Sequence, residues 1–341
     1  MSASGKTMRA IEVGGIGLDT IRLVERPVPR PGPGEILIRV AAATLNYRDL
    51  AIVKGGYKPG HPRPYVPSSD ASGEVVELGP GVTRFKTGDR AVPAYTQGWI
   101  DGRPTPEQRA ERTLGVPLTG VLQDFVAVPA EDAVTAPEHL SDIEAATLPI
   151  AGLTAWSTLQ DGGVKPGDWV LVEGTGGVAL FALQFAKLAG ARVLALSSSE
   201  EKLARVRDLG ADATINYREV PDWGAAAKAA TGGHGADIVI ETAGSTLPQA
   251  LAAAAYGGYV GVIGFVGGTE ATVDVRQLIM PMARVHGIAV GSRTGFEAMN
   301  RAIAEHGLKP VVDQVFPLED AADAFARMER GGHFGKIAIS L

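Results

Sequence analysis

The chain has 341 residues, 45 % of them hydrophobic and 21 % charged, the make-up of about two globular domains with well-filled cores. It contains no cysteine, so disulfides, thiolate zinc sites, iron–sulfur clusters and thiol nucleophiles are excluded, and the cytoplasm is the expected location. A net charge of −6 argues against nucleic acid or an anionic membrane as a partner.

The start, MSASGKTMRAIEV, has no signal-peptide core, and apolar runs such as GGVALFALQF break long before the ~18 residues of a membrane span. MRAIEV and TIRLVERP read as strands. GGIGLDT between them is a turn, and the rigid connector PVPRPGP follows. GEILIRVAAATL, SGEVVELG, GDRAVPAY and VLQDFVAVPAEDAV continue the β pattern, which implies a small all-β body over roughly residues 8–135. The character changes near Ser141, which with Glu144 is placed as a capping box at the start of a helical stretch. From Trp169 to Ile263 apolar strands alternate with helices, the pattern of a doubly wound parallel sheet. A helix near FEAMNRAIAEHG, the segment KPVVDQVFPL, a helix AADAFARMERGG and a strand GKIAISL close the chain.

VLVEGTGGVALFALQFAKLAGARVLALS carries the chemistry. Gly174, Gly176 and Ala179 fit G-x-G-x-x-A between an apolar strand and an amphipathic helix. Gly174 permits the tight turn, Gly176 lets the backbone approach a pyrophosphate, and Ala179 keeps helix and strand close. With Thr175, Gly177 and Val178 they form a loop whose helix N-terminus favours phosphate. An NAD site would carry an acid at the end of the next strand. Here Ser197, Ser198 and Ser199 stand there with Lys202 nearby, which suits a 2′-phosphate and favours NADP(H) over NAD(H). Ser198 as a helix cap with Glu201 as its box partner is the other reading, and both can hold together.

These residues, with PGPGEILIRVAAATLNYRDL, PSSDASGEVVELGPGVTRFKTGDRAV, TLPIAGLTAWSTL and HFGKIAISL, resemble the medium-chain dehydrogenase/reductase superfamily, in its zinc-free quinone-oxidoreductase-like branch. The resemblance covers nearly the whole chain. It implies an α/β protein: a GroES-like β-barrel catalytic domain (residues 1–146), a Rossmann domain with a doubly wound parallel sheet (147–295), and a C-terminal return to the first domain (296–341).

Zinc-dependent members of that group place Cys where this chain has Asn46, and His–Glu where it has Ser69 and Asp70; the loop YTQGWIDGRPTPEQRAERTLG replaces their four-Cys lobe. No zinc is therefore expected. The six histidines show no ligand spacing either. The resemblance places Asn46 beside the substrate and Thr154 near the nicotinamide. It puts Lys202 and Tyr217 on the 2′-phosphate, and Thr242, Ala243, Gly244, Gly264, Phe265, Val266, Ser292, Arg293 and Lys336 on the cofactor. Without a metal or a Tyr-x-x-x-Lys motif, acceptors that spread negative charge are the easier substrates, so hydride transfer from NADPH to a quinone or an α,β-unsaturated carbonyl is expected. Asn46, Tyr47 and Arg48 are the candidate donors to the acceptor oxygen. Tyr57 and Trp99, the latter in the 95–115 loop, are candidates for the acceptor pocket, with Trp99 equally able to anchor its loop. Two alternatives stand beside this: a zinc-free alcohol or aldehyde dehydrogenase-reductase, and a crystallin-like nucleotide-binding protein without turnover. A homodimer paired along the Rossmann sheet edge, through GYVGVIGFV and IAVGSR, is what the resemblance implies for assembly.

Overall fold

The computed structural model describes residues 6–341, which divide into two compact units. One holds the described residues up to Ile150 together with Gly291–Leu341, and the other is Ala151–Val290. The changeovers at 150/151 and 290/291 lie beside the 146/147 and 295/296 expected from resemblance.

In the first unit β1 (Thr7–Val13) and β2 (Ile21–Pro27) form an antiparallel ribbon. β3 (Glu35–Thr44) leads into a short helix, α1 (Tyr47–Val53), followed by β4 (Asp70–Leu78), β5 (Arg90–Pro93), α2 (Pro106–Glu111), β6 (Phe125–Pro129), β7 (Ala133–Thr135) and α3 (Asp142–Ala145). The expected all-β body thus contains two helices. Neither is longer than 7 residues, too short for a periodic apolar stripe. The capping box at Ser141 and Glu144 is present, with Ser141 Oγ accepting from the Glu144 N–H.

The second unit begins with α4 (Leu153–Gly162) and then alternates strictly. Its order is β8 (Trp169–Glu173), α5 (Gly177–Leu188), β9 (Arg192–Ser197), α6 (Glu200–Asp208), β10 (Ala213–Asn216), α7 (Trp223–Ala230), β11 (Ala236–Glu241), α8 (Leu247–Ala253), β12 (Ala254–Val262), α9 (Arg276–Ile279) and β13 (Arg284–Gly287). Six parallel strands run in the order β10-β9-β8-β11-β12-β13. All five residues of β8 are buried, as a strand covered on both faces must be. The winding reverses between β8 and β11, which makes their carboxyl ends the topological switch point where such sheets bind ligands. The outer strand on one side is β13, just before the IAVGSR segment expected at that edge, and IAVGSR itself lies outside any strand.

The chain then returns to the first unit with α10 (Arg293–His306), β14 (Val312–Pro317), α11 (Ala321–Arg330) and β15 (Lys336–Ser340). The resulting seven-stranded sheet runs β14-β15-β3-β4-β5-β7, with β6 also paired to β3. α11 buries Ala321, Ala324, Phe325 and Met328, an i, i+3, i+4, i+7 stripe that packs with Ile36, Ile38 and Val128 in one core.

One turn in the second unit depends on a glycine. Gly244 has φ +78°, and a Cβ there would stand 2.3 Å from the Gly268 carbonyl oxygen. Gly244→Ala is expected to cost about 1–3 kcal/mol from backbone strain, more once the clash is added. A thermal melt that matches wild type would show that the turn moves aside freely.

Candidate active site

Five strand ends of the second unit deliver their loops to the same edge of the sheet. Gly174 turns the chain after β8 with φ +83°, and the α5 N-terminus opens at Gly177 with Gly176 as its cap residue. The space a Cβ would fill at Gly176 is open, so the backbone N–H groups there can receive a bulky anion. Thr175 and Ser197 are buried, and Ser198 and Ser199 are half-buried after β9. The cap of α6 is Ser199, whose Oγ accepts from the Lys202 N–H at 3.4 Å; the expected Ser198–Glu201 box is not formed. Tyr217 follows β10, and its N–H donates to Ser197 O at 3.1 Å, which brings that residue and Lys202 to the end of β9.

Thr242, Ala243 and Gly244 follow β11, and Gly264, Phe265 and Val266 follow β12. The two loops are layered on each other: Gly267 N–H donates to Ala243 O at 2.9 Å, and a Cβ on Gly264 would meet Thr242 O at 2.4 Å. Thr154 is buried within α4, its carbonyl accepting from Thr158 Oγ1 at 2.7 Å.

In the first unit three neighbouring strands converge on one buried polar knot. Register pairs Ala338 of β15 with Thr44 of β3, and Thr44 with Asp70 of β4. Lys336 Nζ donates to Leu45 O and to Asn46 Oδ1, each at 2.7 Å, and lies 3.6 Å from Asp70 Oδ2. The Asn46 amide donates in turn to Asp70 Oδ2 at 2.9 Å, and Ser69 Oγ donates to the other oxygen of Asp70 at 3.1 Å. Lys336 is 3 % exposed and Asp70 fully buried. Burial pulls the ammonium down and pushes the carboxyl up, while their mutual attraction opposes both shifts. Asp49 accepts from the Asn46 N–H at 2.8 Å and is pushed up to about 6 by burial, against the pull of Arg48.

Arg48, expected as a donor to the acceptor, is committed elsewhere. Its guanidinium donates to Leu114 O at 3.2 Å and Val116 O at 2.5 Å, and lies over the rings of Tyr57 and Tyr95. It therefore pins α1 to the 113–116 loop, and Tyr57 is its packing partner. Tyr47 at the start of α1 is 39 % exposed. Trp99 is buried and donates to Gly102 O at 2.9 Å, so it anchors its own loop. Ser292 and Arg293 open α10 in the first unit: Ser292 Oγ caps Gly295 N–H at 3.2 Å, and Arg293 pairs with Glu131.

Residues 32–138 match the alcohol dehydrogenase GroES-like domain, and residues 177–305 match the zinc-binding dehydrogenase domain. A zinc-type alcohol dehydrogenase-like protein of Schizosaccharomyces pombe is 41 % identical over 95 % of this chain and 96 % of its own length. The chain belongs to the medium-chain dehydrogenase/reductase family. It is an oxidoreductase of that family, whose members are nicotinamide-dependent dehydrogenases, and it has a GroES-like and a Rossmann-like part. Among solved structures, a Sinorhizobium meliloti 1021 protein described as a candidate alcohol dehydrogenase superposes with TM-score 0.92 at 42 % identity, covering 99 % of this chain and all of its own. The 2-octenoyl-CoA carboxylase reductase CinF, solved with NADP and 2-octenoyl-CoA, gives TM-score 0.86 at 28 % identity, covering 99 % of this chain and 88 % of its own.

In the sequence of this family member Asp70 stands out only as a departure from a zinc pattern, and resemblance puts Lys336 on the cofactor. Their union in one knot needs the β15–β3–β4 order, which no local pattern announces. Lys336→Met would leave Asp70 buried without its cation and is expected to cost about 3–5 kcal/mol in denaturant unfolding. Adding Asp70→Asn in the same chain should recover part of that loss, and a strictly additive pair would dissolve the knot as an energetic unit.

Proposed function

We propose that the protein is a zinc-independent, NADPH-dependent oxidoreductase that reduces a quinone or an α,β-unsaturated carbonyl compound. The observation that carries the reading is the Lys336–Asn46–Asp70 knot, which lies where resemblance places zinc ligands. Zinc takes thiolate, imidazole or carboxylate. Of Asn46, Ser69 and Asp70 only the last is such a donor, and its Oδ2 already faces Asn46 Nδ2, Ile150 N–H and Lys336 Nζ. An ammonium at that distance repels a divalent ion, and among the described residues no group of three or more His, Cys, Asp or Glu is placed to hold one. Zinc does not fit, and no step runs through it.

NADPH does fit the second unit. Gly174, Thr175, Gly176 and the α5 N-terminus would take its pyrophosphate, and Ser198, Ser199, Lys202 and Tyr217 its 2′-phosphate. When bound it supplies the hydride. Asn46 is the residue we assign to the carbonyl oxygen: Lys336 on its Oδ1 polarises the amide, and one amide N–H remains beyond the bond to Asp70. Tyr47 is the second donor, and Arg48 holds the start of α1 in place. Two neutral donors stabilise a full alkoxide poorly, so an acceptor that spreads its charge over a conjugated system suits them better than a simple ketone. The NADP and enoyl thioester held by CinF support the same reading. A second reading, zinc-free oxidation of alcohols or reduction of aldehydes, is favoured by the descriptions of the S. pombe and S. meliloti relatives.

The proposal includes a cytoplasmic homodimer paired along β13. All four residues of that strand are exposed, and the nearby Tyr256, Ile279, Met280 and Met282 leave apolar surface around it.

Separate NADPH and NADH titrations, followed by a panel of quinones, enones, aldehydes and alcohols read by nicotinamide absorbance, test the reading. Lys202→Ala with Tyr217→Ala is expected to weaken NADPH about tenfold, or ~1.4 kcal/mol, and to leave NADH unchanged. Asn46→Ala is expected to lower kcat about a hundredfold. Preference for NADH, or activity that a chelator abolishes and zinc restores, would overturn it; NADPH binding without turnover of any acceptor would favour a non-catalytic role.

A further inference from the structure

Two buried acids have no part in the roles assigned above. Glu173 ends β8 and Glu241 ends β11. Register sets Val172 beside Ile240, and one step further it sets the two carboxyl groups side by side at the switch point. Glu173 is 6 % exposed and Glu241 0 %. No ion pair or hydrogen bond joins either to a charged side chain of β8, β9, β11, β12, α5 or α8, and the charge that acts on Glu173 is Glu241 itself.

Thr246 bridges the pair. Its Oγ1 lies 3.0 Å from Glu173 Oε2 and 2.7 Å from Glu241 Oε1. A hydroxyl has one proton to donate. Between two ionised carboxylates one of these contacts would be repulsive; with one carboxyl protonated, the hydroxyl donates to one acid and accepts from the other. Glu173 Oε1 and Glu241 Oε2 are buried with no partner, where ionised oxygens are costly. Burial, then the Glu241 charge, pushes Glu173 from 4.5 up to about 8, and burial raises Glu241 too. The pair also holds the next turn: Thr242 N–H donates to Glu173 Oε2 at 3.4 Å, and Ala243 and Gly244 N–H to Glu241 Oε1 at 3.2 and 2.6 Å.

We infer that Glu173 and Glu241 share one proton by way of Thr246, and that this proton keeps the 242–246 turn in the shape that receives the dinucleotide. Both are positioning residues, and the inference rests on the NADP(H) site proposed above. When the proton leaves, Thr246 can satisfy one acid only, two negative charges face each other, and the turn loosens.

Binding that requires the protonated pair weakens about tenfold when pH stands about one unit above the group's midpoint, so NADPH Kd should rise about tenfold from about pH 7 to about pH 9. Glu173→Gln keeps a neutral donor in place and should hold Kd level over that range. With Glu241→Gln the like charge is gone, and the break should move to lower pH. Infrared spectra of the cofactor-free protein should show an undissociated-carboxyl stretch at neutral pH that fades over the same interval and is missing from Glu173→Gln. No such band in wild type, or equal pH dependence of Kd in wild type and Glu173→Gln, would overturn the inference. If wild type binds neither NADPH nor NADH, the dinucleotide reading fails, and the infrared band alone still decides whether the shared proton exists.

Discussion

A buried charge must be partnered, and this requirement ties together the first unit. Lys336 carries an ammonium into the interior of a seven-stranded sheet, where water cannot solvate it. Its partners are a carbonyl and an amide just beyond β3 and a carboxylate at the first position of β4. All three meet only if β15, the last strand of the chain, lies antiparallel against β3. The C-terminal return is thus more than closure of a barrel. It brings in the cation that orients Asn46, and Asn46 is also the residue that caps α1 and places Tyr47.

The second unit handles buried charge in the opposite way. No cation accompanies Glu173 and Glu241, so burial acts on both in one direction and favours the neutral form. Parallel strands in register cannot place two acids at matching ends without setting them side by side. Such a pair is unfavourable for folding, and it sits where the sheet reverses its winding and loops from β8 and β11 diverge. Strain kept at a ligand-binding edge is consistent with a functional demand there. The two knots differ in chemistry for the same physical reason: each acid takes whatever the sheet brings to it, an ammonium from β15 across β3 in one unit and the carboxyl group of the adjacent strand in the other.

Several side chains that carry typical site chemistry turn out to be braces. Arg48 holds a loop through two carbonyls and two aromatic faces, and Trp99 closes its own loop through Gly102. Arg293 is bound up with Glu131 at the start of α10. Long polar side chains at element ends commonly satisfy backbone groups that would otherwise be orphaned, so residue type and position alone do not separate a brace from a binding group.

The parallel sheet, the β-rich part, the glycine loop and the Ser141–Glu144 cap are legible along the chain, because each is set by local periodicity or by neighbours a few residues apart, whereas the cap of α6 falls on Ser199, one residue after the Ser198 that the pattern suggests. Apolar runs such as that of β8 declare a strand buried on both faces, and Gly174 declares a positive φ. Helices as short as α1 and α2 escaped that reading, since one or two turns carry no period. Which distant residues touch is settled in three dimensions. Lys336 and Asn46 are 290 positions apart, and Glu173 and Thr246 are 73 apart. Their meeting depends on strand order and register, which are settled by the packing of whole sheets, and a pattern read along one strand holds no record of the strand that will lie beside it.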